Sequence, residues 1–360
     1  MKKICFIVYN MSVIGGVEQV TKTLTDELVK NYEVHVLSLL KTGELKYKLD
    51  NKVQYEYLST QESRFSEMQK QLKKPIAAYL KKNNIDIAFI QGTFPAYITF
   101  PVRFFCKTKL VFCDHGALRN QWDDKKTTLA RFLSSLFCHK TVALTKQTYD
   151  DYHKKFFVPY RKLRYIYNWV DLSVSRSEEY SINSKRIISA GRISKEKGFD
   201  MLVKAFAPVA QKHSDWHLDI FGDGDMMDIV KQTIAEYKIE NNVHLMGMRA
   251  DLSEQYRNYA MYVLASYREG MPLVLLEAKA NRLPIVSFDI MTGPREIVRD
   301  NIDGILVEPY NLEKMSDAIC SLIENTDRRI QMSQASQKNL YKFSKQEILI
   351  QWKHLIESLT

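Results

Sequence analysis

Short apolar runs of strand length alternate with segments of helical periodicity from one end of the chain to the other. Parallel sheets covered by helices produce that pattern. In the first half the runs predict strands at 3–8, 33–39, 53–58, 85–90, 110–113 and 141–144. The segment after the first run sets Val17, Val20, Leu24 and Leu28 at helical spacing, which predicts one shared buried face. In the second half strands are predicted at 186–190, 217–221, 243–246, 261–264, 284–288 and 305–307, each followed by a helix or helical turn. The fold class is α/β, with two doubly wound parallel sheets.

Length agrees with two cores. A single core stops growing at roughly 250 to 300 residues, and this chain has 360. Asn168-Trp169-Val170-Asp171 and the polar stretch 173–184 read as a connection, which sets domains at 1–170 and 171–344. A cleft between two such domains is a natural ligand site. The last segment, 345–360, is predicted helical with Ile348, Trp352, Leu355 and Ile356 on its apolar side, and is expected to pack back on the first domain.

The apolar share, 45%, excludes a disordered chain. No window reaches the roughly 18 uninterrupted apolar residues of a spanning helix, and the first apolar run ends at Tyr9-Asn10, shorter than a signal core. A cytoplasmic location is expected, with membrane contact at most peripheral. Cys5, Cys106, Cys113, Cys138 and Cys320 are odd in number and include no CxxC pair, so they read as buried thiols in a reducing compartment. The net charge of +10 is uneven: residues 1–170 hold 28 Lys and Arg against 15 Asp and Glu. Lys70, Lys73, Lys74, Lys81 and Lys82, and the run Lys154, Lys155, Arg161, Lys162 and Arg164 among Phe156, Phe157, Tyr160 and Tyr165, suit an anionic membrane surface. A solvated lysine-rich face is the alternative.

Four segments carry candidate chemistry. Arg268-Glu269-Gly270-Met271-Pro272-Leu273 leads into an apolar helix that contains Glu277. Backbone amides at its start favour anions or hydroxyls, and a carboxylate among apolar neighbours needs a partner such as a ribose diol. On spacing alone, Glu269 capping a turn and Glu277 facing water beside Lys279 is an equal reading. Gly191-Arg192-Ile193-Ser194-Lys195-Glu196-Lys197-Gly198 follows a strand and offers two cations to a diphosphate, Arg192 as a fork and Lys197 as a point charge; an ordinary charged loop is the alternative. Gly15-Gly16 lies between the first strand and helix, where backbone can approach a ligand closely. His115, after the strand at 110–113, can reach a sugar hydroxyl or an acceptor. Gly222-Asp223-Gly224-Asp225 looks like a turn and helix cap rather than a metal site.

In this order and spacing the motifs resemble the GT4-type family (glycosyltransferase group 1) of retaining GT-B glycosyltransferases, bacterial surface-polysaccharide type, over nearly the whole chain. The resemblance includes Asn168-Trp169-Val170-Asp171, Gly222-Asp223-Gly224, and Asp289-Ile290-Met291-Thr292-Gly293-Pro294-Arg295-Glu296-Ile297 followed by Asn301-Ile302-Asp303-Gly304. Trp169 departs from it, since glycine is common there. The resemblance implies two Rossmann-like domains facing across a cleft, the N-terminal one for the acceptor and the C-terminal one for the nucleotide-sugar.

It also implies site roles. Glu277 would hold the ribose, Arg192 and Lys197 the diphosphate, and the base would lie near Met248-Arg249. Glu269 and the amides of Gly270, Met271, Pro272 and Leu273 would orient the sugar, with Gly15 and Gly16 against the phosphate and His115 against the sugar. No metal or other cofactor is expected. The implied reaction moves a hexose or N-acetylhexosamine, from a UDP-sugar by preference, to a glycan or lipid-linked acceptor. A GDP-mannose-dependent mannosyltransferase and an epimerase of the same fold are alternatives; a basic nucleic-acid-binding protein is a third, with no recognisable module for it in the sequence.

Overall fold

The computed structural model describes residues 1–170, 180–249 and 252–359; Asp171 and 173–179 of the expected connection lie outside them. The chain divides into two compact units, Met1–Asn168 with Ile348–Thr360, and Trp169–Glu347.

The first unit is built on seven parallel strands: β1 (Lys3–Asn10), β2 (Glu33–Leu40), β3 (Gln54–Tyr57), β4 (Ile87–Gln91), β5 (Lys109–Asp114), β6 (Lys140–Ala143) and β7 (Leu163–Tyr165). Their order is β3-β2-β1-β4-β5-β6-β7. β7 is the strand the sequence reading missed: three residues, two of them exposed, carry too little apolar signal. Helices α1 (Gly16–Leu28), α2 (Phe65–Lys82), α3 (Thr93–Thr99), α4 (Lys125–Phe137) and α5 (Lys146–Phe156) supply the crossovers. With both faces covered, a central strand such as β4 is buried at all five positions. The buried side of α1 is Thr21, Leu24, Thr25 and Leu28; Val17 and Val20 are only half-buried. Two threonines take their place by returning their hydroxyls to the carbonyls of Val17 and Lys22.

The second unit holds six parallel strands: β8 (Arg186–Ala190), β9 (His217–Phe221), β10 (Val243–Gly247), β11 (Met261–Leu264), β12 (Ile285–Phe288) and β13 (Gly304–Val307). Their order is β10-β9-β8-β11-β12-β13. Its helices are α6 (Phe199–Lys212), α7 (Met227–Tyr237), α8 (Leu252–Gln255), α9 (Leu273–Ala280), α10 (Pro294–Ile297), α11 (Leu312–Glu324) and α12 (Thr326–Ser336). The cap of α7 is Met226, with no side-chain bond; the aspartates of the preceding turn do not cap it, and Asp223 instead accepts from the Gly224 N–H at 2.7 Å.

The final helix, α13 (Lys345–Glu357), buries Ile348, Trp352, Leu355 and Ile356. Trp352 meets Phe89 of β4 edge-on at 5.4 Å, and Glu357 accepts from Tyr32 at 3.0 Å and pairs with Lys2. All five cysteines are free thiols. Cys106 and Cys320 are half-buried, against the expectation of five buried thiols.

Each sheet has one point where strand order reverses: between β1 and β4, and between β8 and β11. In a doubly wound sheet the connections leave such a point in opposite directions, which opens a crevice at the carboxyl ends of the strands. Gly15, Gly16, Arg192, Lys197 and Glu269 follow strands at these points, whereas His115 follows β5, next to β4, and Arg249 follows β10 at the sheet edge.

Candidate active site

In the second unit the loop after β8 and the loop after β11 converge at the reversal point. Gly198, at φ +61, ends the first loop. A Cβ there would stand 2.3 Å from the Ala265 carbonyl oxygen, so only glycine lets α6 start this close to the end of β11. Tyr267 N–H donates to Glu196 O at 2.8 Å and joins the two loops again. The result is contact between side chains that looked like separate motifs. Lys197 Nζ lies 2.8 Å from Glu269 Oε1 and 3.0 Å from Oε2. Ser266 Oγ donates to Oε1 at 2.7 Å, and Thr292 Oγ1 to the Glu269 carbonyl at 2.7 Å. Glu269 is buried, so it holds a fixed carboxylate rather than capping a turn. Ser266 was not read as a functional residue, although it sits three residues before Glu269, within reach from the end of a buried strand; Thr292 stands in the signature at 289–297, without its bond to Glu269 being foreseen.

Arg192, by contrast, is exposed, with no side-chain hydrogen bond or ion pair among the described residues. Its loop is held from behind. Gly191 N–H donates to Phe221 O, and Ile193 N–H to Asp223 O, both at 2.9 Å. Gly222 and Gly224 make this possible: a Cβ would meet Gly191 O at 1.9 Å in one case and Ile193 O at 2.2 Å in the other. Tyr262 buttresses the same place, its hydroxyl bonded to Ala190 N and O at 3.0 Å each. The Gly-Asp-Gly segment is thus a support for the cation loop.

Beyond Glu269, Met271 and Pro272 are buried and Gly270 and Leu273 half-buried at the start of α9. Glu277, half-buried, accepts from the hydroxyl of fully buried Tyr256 at 2.9 Å. Burial holds its carboxyl above the ordinary range, and the Tyr256 bond opposes that. Lys279 does not lie on a wet face beside it. Its ammonium is fully buried, 2.9 Å from Asp303 Oδ2 and 2.8 Å from the Ile297 carbonyl. Arg249 is exposed past the end of β10.

In the first unit Gly15 caps α1 in an extended conformation, φ −165. Nothing stands within 4 Å of a Cβ at Gly16, whereas one at Gly15 would meet Glu18 Oε2 at 2.4 Å. A carboxylate therefore already leans over this helix start, the place expected for phosphate. Burial raises the Glu18 pKa, and its own N–H opposes the rise.

His115 follows β5, and its Nε2 lies 2.6 Å from Oε1 of Gln91 at the end of β4. An amide oxygen only accepts, so Nε2 carries the ring proton and Nδ1 keeps its lone pair. Burial pushes the His115 pKa down to about 4, against the pull of Asp114; the imidazole is neutral at pH 7. Beneath it Asp114, fully buried, pairs with Arg131 at 2.9 Å and accepts from Tyr152 at 2.7 Å and Gly116 N–H at 3.0 Å. Gln91 was not read from sequence, although a polar residue ending a buried run is a visible signal.

Comparison with known proteins follows these lines. Residues 14–174 match the model of Glycosyltransferase Family 4, and 175–339 that of Glycosyl transferases group 1. The amylovoran biosynthesis glycosyltransferase AmsD of Erwinia amylovora is 26% identical over 99% of this chain and 100% of its own. An N-acetylgalactosaminyltransferase of Campylobacter jejuni, named for its N-acetylgalactosamine-N,N'-diacetylbacillosaminyl-diphospho-undecaprenol substrate, is 27% identical over 91% of this chain and 92% of its own. Among solved structures, Anabaena HepE in complex with UDP superposes with a TM-score of 0.83 at 19% identity, covering 99% of this chain and 100% of that one. The two sheets, the order of their motifs and both family matches make this chain a member of the group 1, family 4 glycosyltransferases of GT-B fold, whose relatives build bacterial polysaccharides.

Proposed function

We propose that the chain transfers a hexose or N-acetylhexosamine from a nucleotide-sugar, with UDP-sugars preferred, to a glycan or lipid-linked glycan of a bacterial surface polysaccharide, with retention of configuration. The observation that carries this is the Lys197–Glu269 pair at the reversal point of the second sheet, with Arg192 exposed in the same loop. The UDP bound by HepE supports the nucleotide, and the undecaprenol-linked substrate of the Campylobacter relative supports a lipid-linked acceptor. We assign the donor to the second unit and the acceptor to the first.

Cleaving the bond between the anomeric carbon and the diphosphate develops negative charge on the leaving group. Fixed cations stabilise such charge where water is excluded. Arg192 and Lys197 fill this role without a metal. Glu277 binds the ribose diol; Glu269 and the Gly270–Leu273 backbone orient the sugar hydroxyls, while Arg249 lies toward the base. Gly15 and Gly16 approach the phosphate, and His115 offers its lone pair to a hydroxyl. The acceptor oxygen attacks the face the diphosphate leaves, and the acceptor proton passes to the departing phosphate oxygen. The chemistry needs cytoplasmic nucleotide-sugar, and the basic charge of residues 1–170 supports peripheral contact with an anionic inner leaflet. Among the described residues no helix is long and apolar enough to cross a membrane.

The test is acceptor-free release of nucleoside diphosphate from a panel of UDP- and GDP-sugars, with and without EDTA. Selective release that resists EDTA and is lost in Glu269→Gln and Arg192→Ala supports the reading; release from GDP-mannose alone moves the donor to GDP. No release, and no thermal shift with any donor, overturns it.

A further inference from the structure

The basic half of the chain carries two kinds of surface. On α2, Lys70, Lys74, Lys81 and Lys82 are exposed, but no large apolar side chain is exposed between Tyr57 and Phe104. On α4 the opposite holds. Leu129, Phe132 and Leu136 are 54%, 36% and 51% exposed, and their spacing of three and four residues sets them on one face of the helix. The patch does not end there. Phe132 packs on Phe156 at 5.5 Å and Phe156 on Trp122 at 5.7 Å, while Phe104, 66% exposed, meets Phe137 at 5.7 Å. Phe104 and Phe105 also line a groove of about 840 Å³ with Leu80, Ile85 and Leu359.

Cations outnumber acids around this patch, where the exposed carboxylates include Asp123, beside Trp122, and Asp86, in the groove and bonded to the Lys3 N–H. Lys125 and Lys126 open α4, which holds no acidic residue, and Lys155 stands 4.0 Å over the Trp122 ring. Arg103 reaches the Phe137 carbonyl at 2.8 Å, and Lys81, Lys107 and Lys109 edge the groove. Asp124, at the start of α4, is taken up by the N–H groups of Lys126 and Thr127. A contiguous apolar patch is a site for burial. A second copy would bring the same cations face to face, whereas an anionic bilayer matches both the cations and the apolar centre.

We propose that the α4 face, with Trp122, Phe104 and Phe105, inserts into an anionic bilayer, so that the first unit is held by apolar penetration as well as charge. This rests on the peripheral-membrane reading above and names the surface that performs it. Trp122 marks the insertion, as aromatic side chains with a polar edge settle at the lipid–water boundary.

The experiment is sedimentation of the full chain with phosphatidylcholine vesicles containing phosphatidylglycerol, at low and high salt. The expected result is binding that high salt weakens but does not abolish, and that falls on the order of 100-fold in Leu129→Ser/Phe132→Ser/Leu136→Ser, from the transfer energy of three large apolar side chains. A Lys70→Gln/Lys74→Gln variant should lose far less. Should the triple variant not fold, brominated lipids decide in the native chain: they are expected to quench fluorescence that disappears in Trp122→Phe. Binding to anionic vesicles with no such quenching, or with the triple variant unchanged, overturns insertion and leaves charge alone. No binding at low salt removes the membrane reading itself.

Discussion

Lys197 and Glu269 stand 72 residues apart in sequence, yet the ammonium touches both oxygens of the carboxylate. The pair forms because β8 and β11 are neighbours at the sheet's reversal point, and their following loops meet there. Removing Lys197 would leave a buried carboxylate with Ser266 as its remaining side-chain donor. Lys197→Ala is expected to cost about 1–3 kcal/mol, and Glu269→Gln less, because the amide keeps the serine bond. Urea unfolding of both single variants and the double variant should give a coupling of about 1–2 kcal/mol. Each single variant should lower nucleotide release by about 100-fold or more.

Three glycines separate support from contact. Gly198→Ala and Gly222→Ala place a methyl group inside 2.5 Å of a backbone oxygen at positive φ, so each should cost about 2–4 kcal/mol. Gly16→Ala meets nothing. It should leave the melting temperature unchanged or slightly raised, since alanine suits a helix better. If activity falls in that variant while stability holds, the bare backbone at Gly16 faces a ligand; full activity would take Gly16 out of the site.

The His115 shift has a definite sign. The unfolded imidazole titrates near 6.5, and the folded one near 4. Between these values the unfolded chain binds a proton that the native chain refuses, so this group lowers stability as pH falls from about 6.5 to about 4 and not further below. Activity should show no acid limb from His115 above about pH 4. Gln91→Glu puts a carboxylate on Nε2 and should raise that titration by at least one unit, seen by imidazole NMR and in the pH profile of nucleotide release. An unmoved profile would mean that His115 does not act in turnover.

Glu277 and Lys279 are two residues apart on one helix and should behave differently. Glu277→Gln keeps a Tyr256 partner and should raise the donor KM about tenfold with little loss of stability, read from initial rates and thermal melts. Lys279→Met leaves Asp303 buried with Arg299 as its remaining cation. A loss of about 3–5 kcal/mol in urea is expected, with the KM of the surviving folded enzyme near native.

The central strands were legible because burial on both faces turns each into an apolar run that no surface alternation obscures. Of the second sheet, 186–190, 217–221 and 261–264 coincide with β8, β9 and β11 to the residue. β7 escaped because it is short and largely exposed, and α1 misled because threonines can bury their hydroxyls against their own helix. The candidate residues were visible as types at strand ends. Their pairings were not: Gln91 and Ser266 show in sequence only as polar residues at the end of buried runs and Thr292 only as part of a signature, and, like Tyr256, they gain their roles from what faces them.

By itself the sequence determined the alternation of strand and helix, and hence two parallel sheets, because side-chain periodicity depends on backbone geometry that every residue shares. It also settled which loops follow which strands, and so which residues can sit at carboxyl ends. The tertiary structure decided that Lys197 pairs with Glu269 while Arg192 is left open, that Lys279 is buried on the same helix that carries half-buried Glu277, and that apolar surface gathers on α4 rather than α2. Those outcomes depend on strand order and on contacts between distant residues, 24 apart for Lys279 and Asp303 and 72 apart for Lys197 and Glu269, and local pattern carries no record of them.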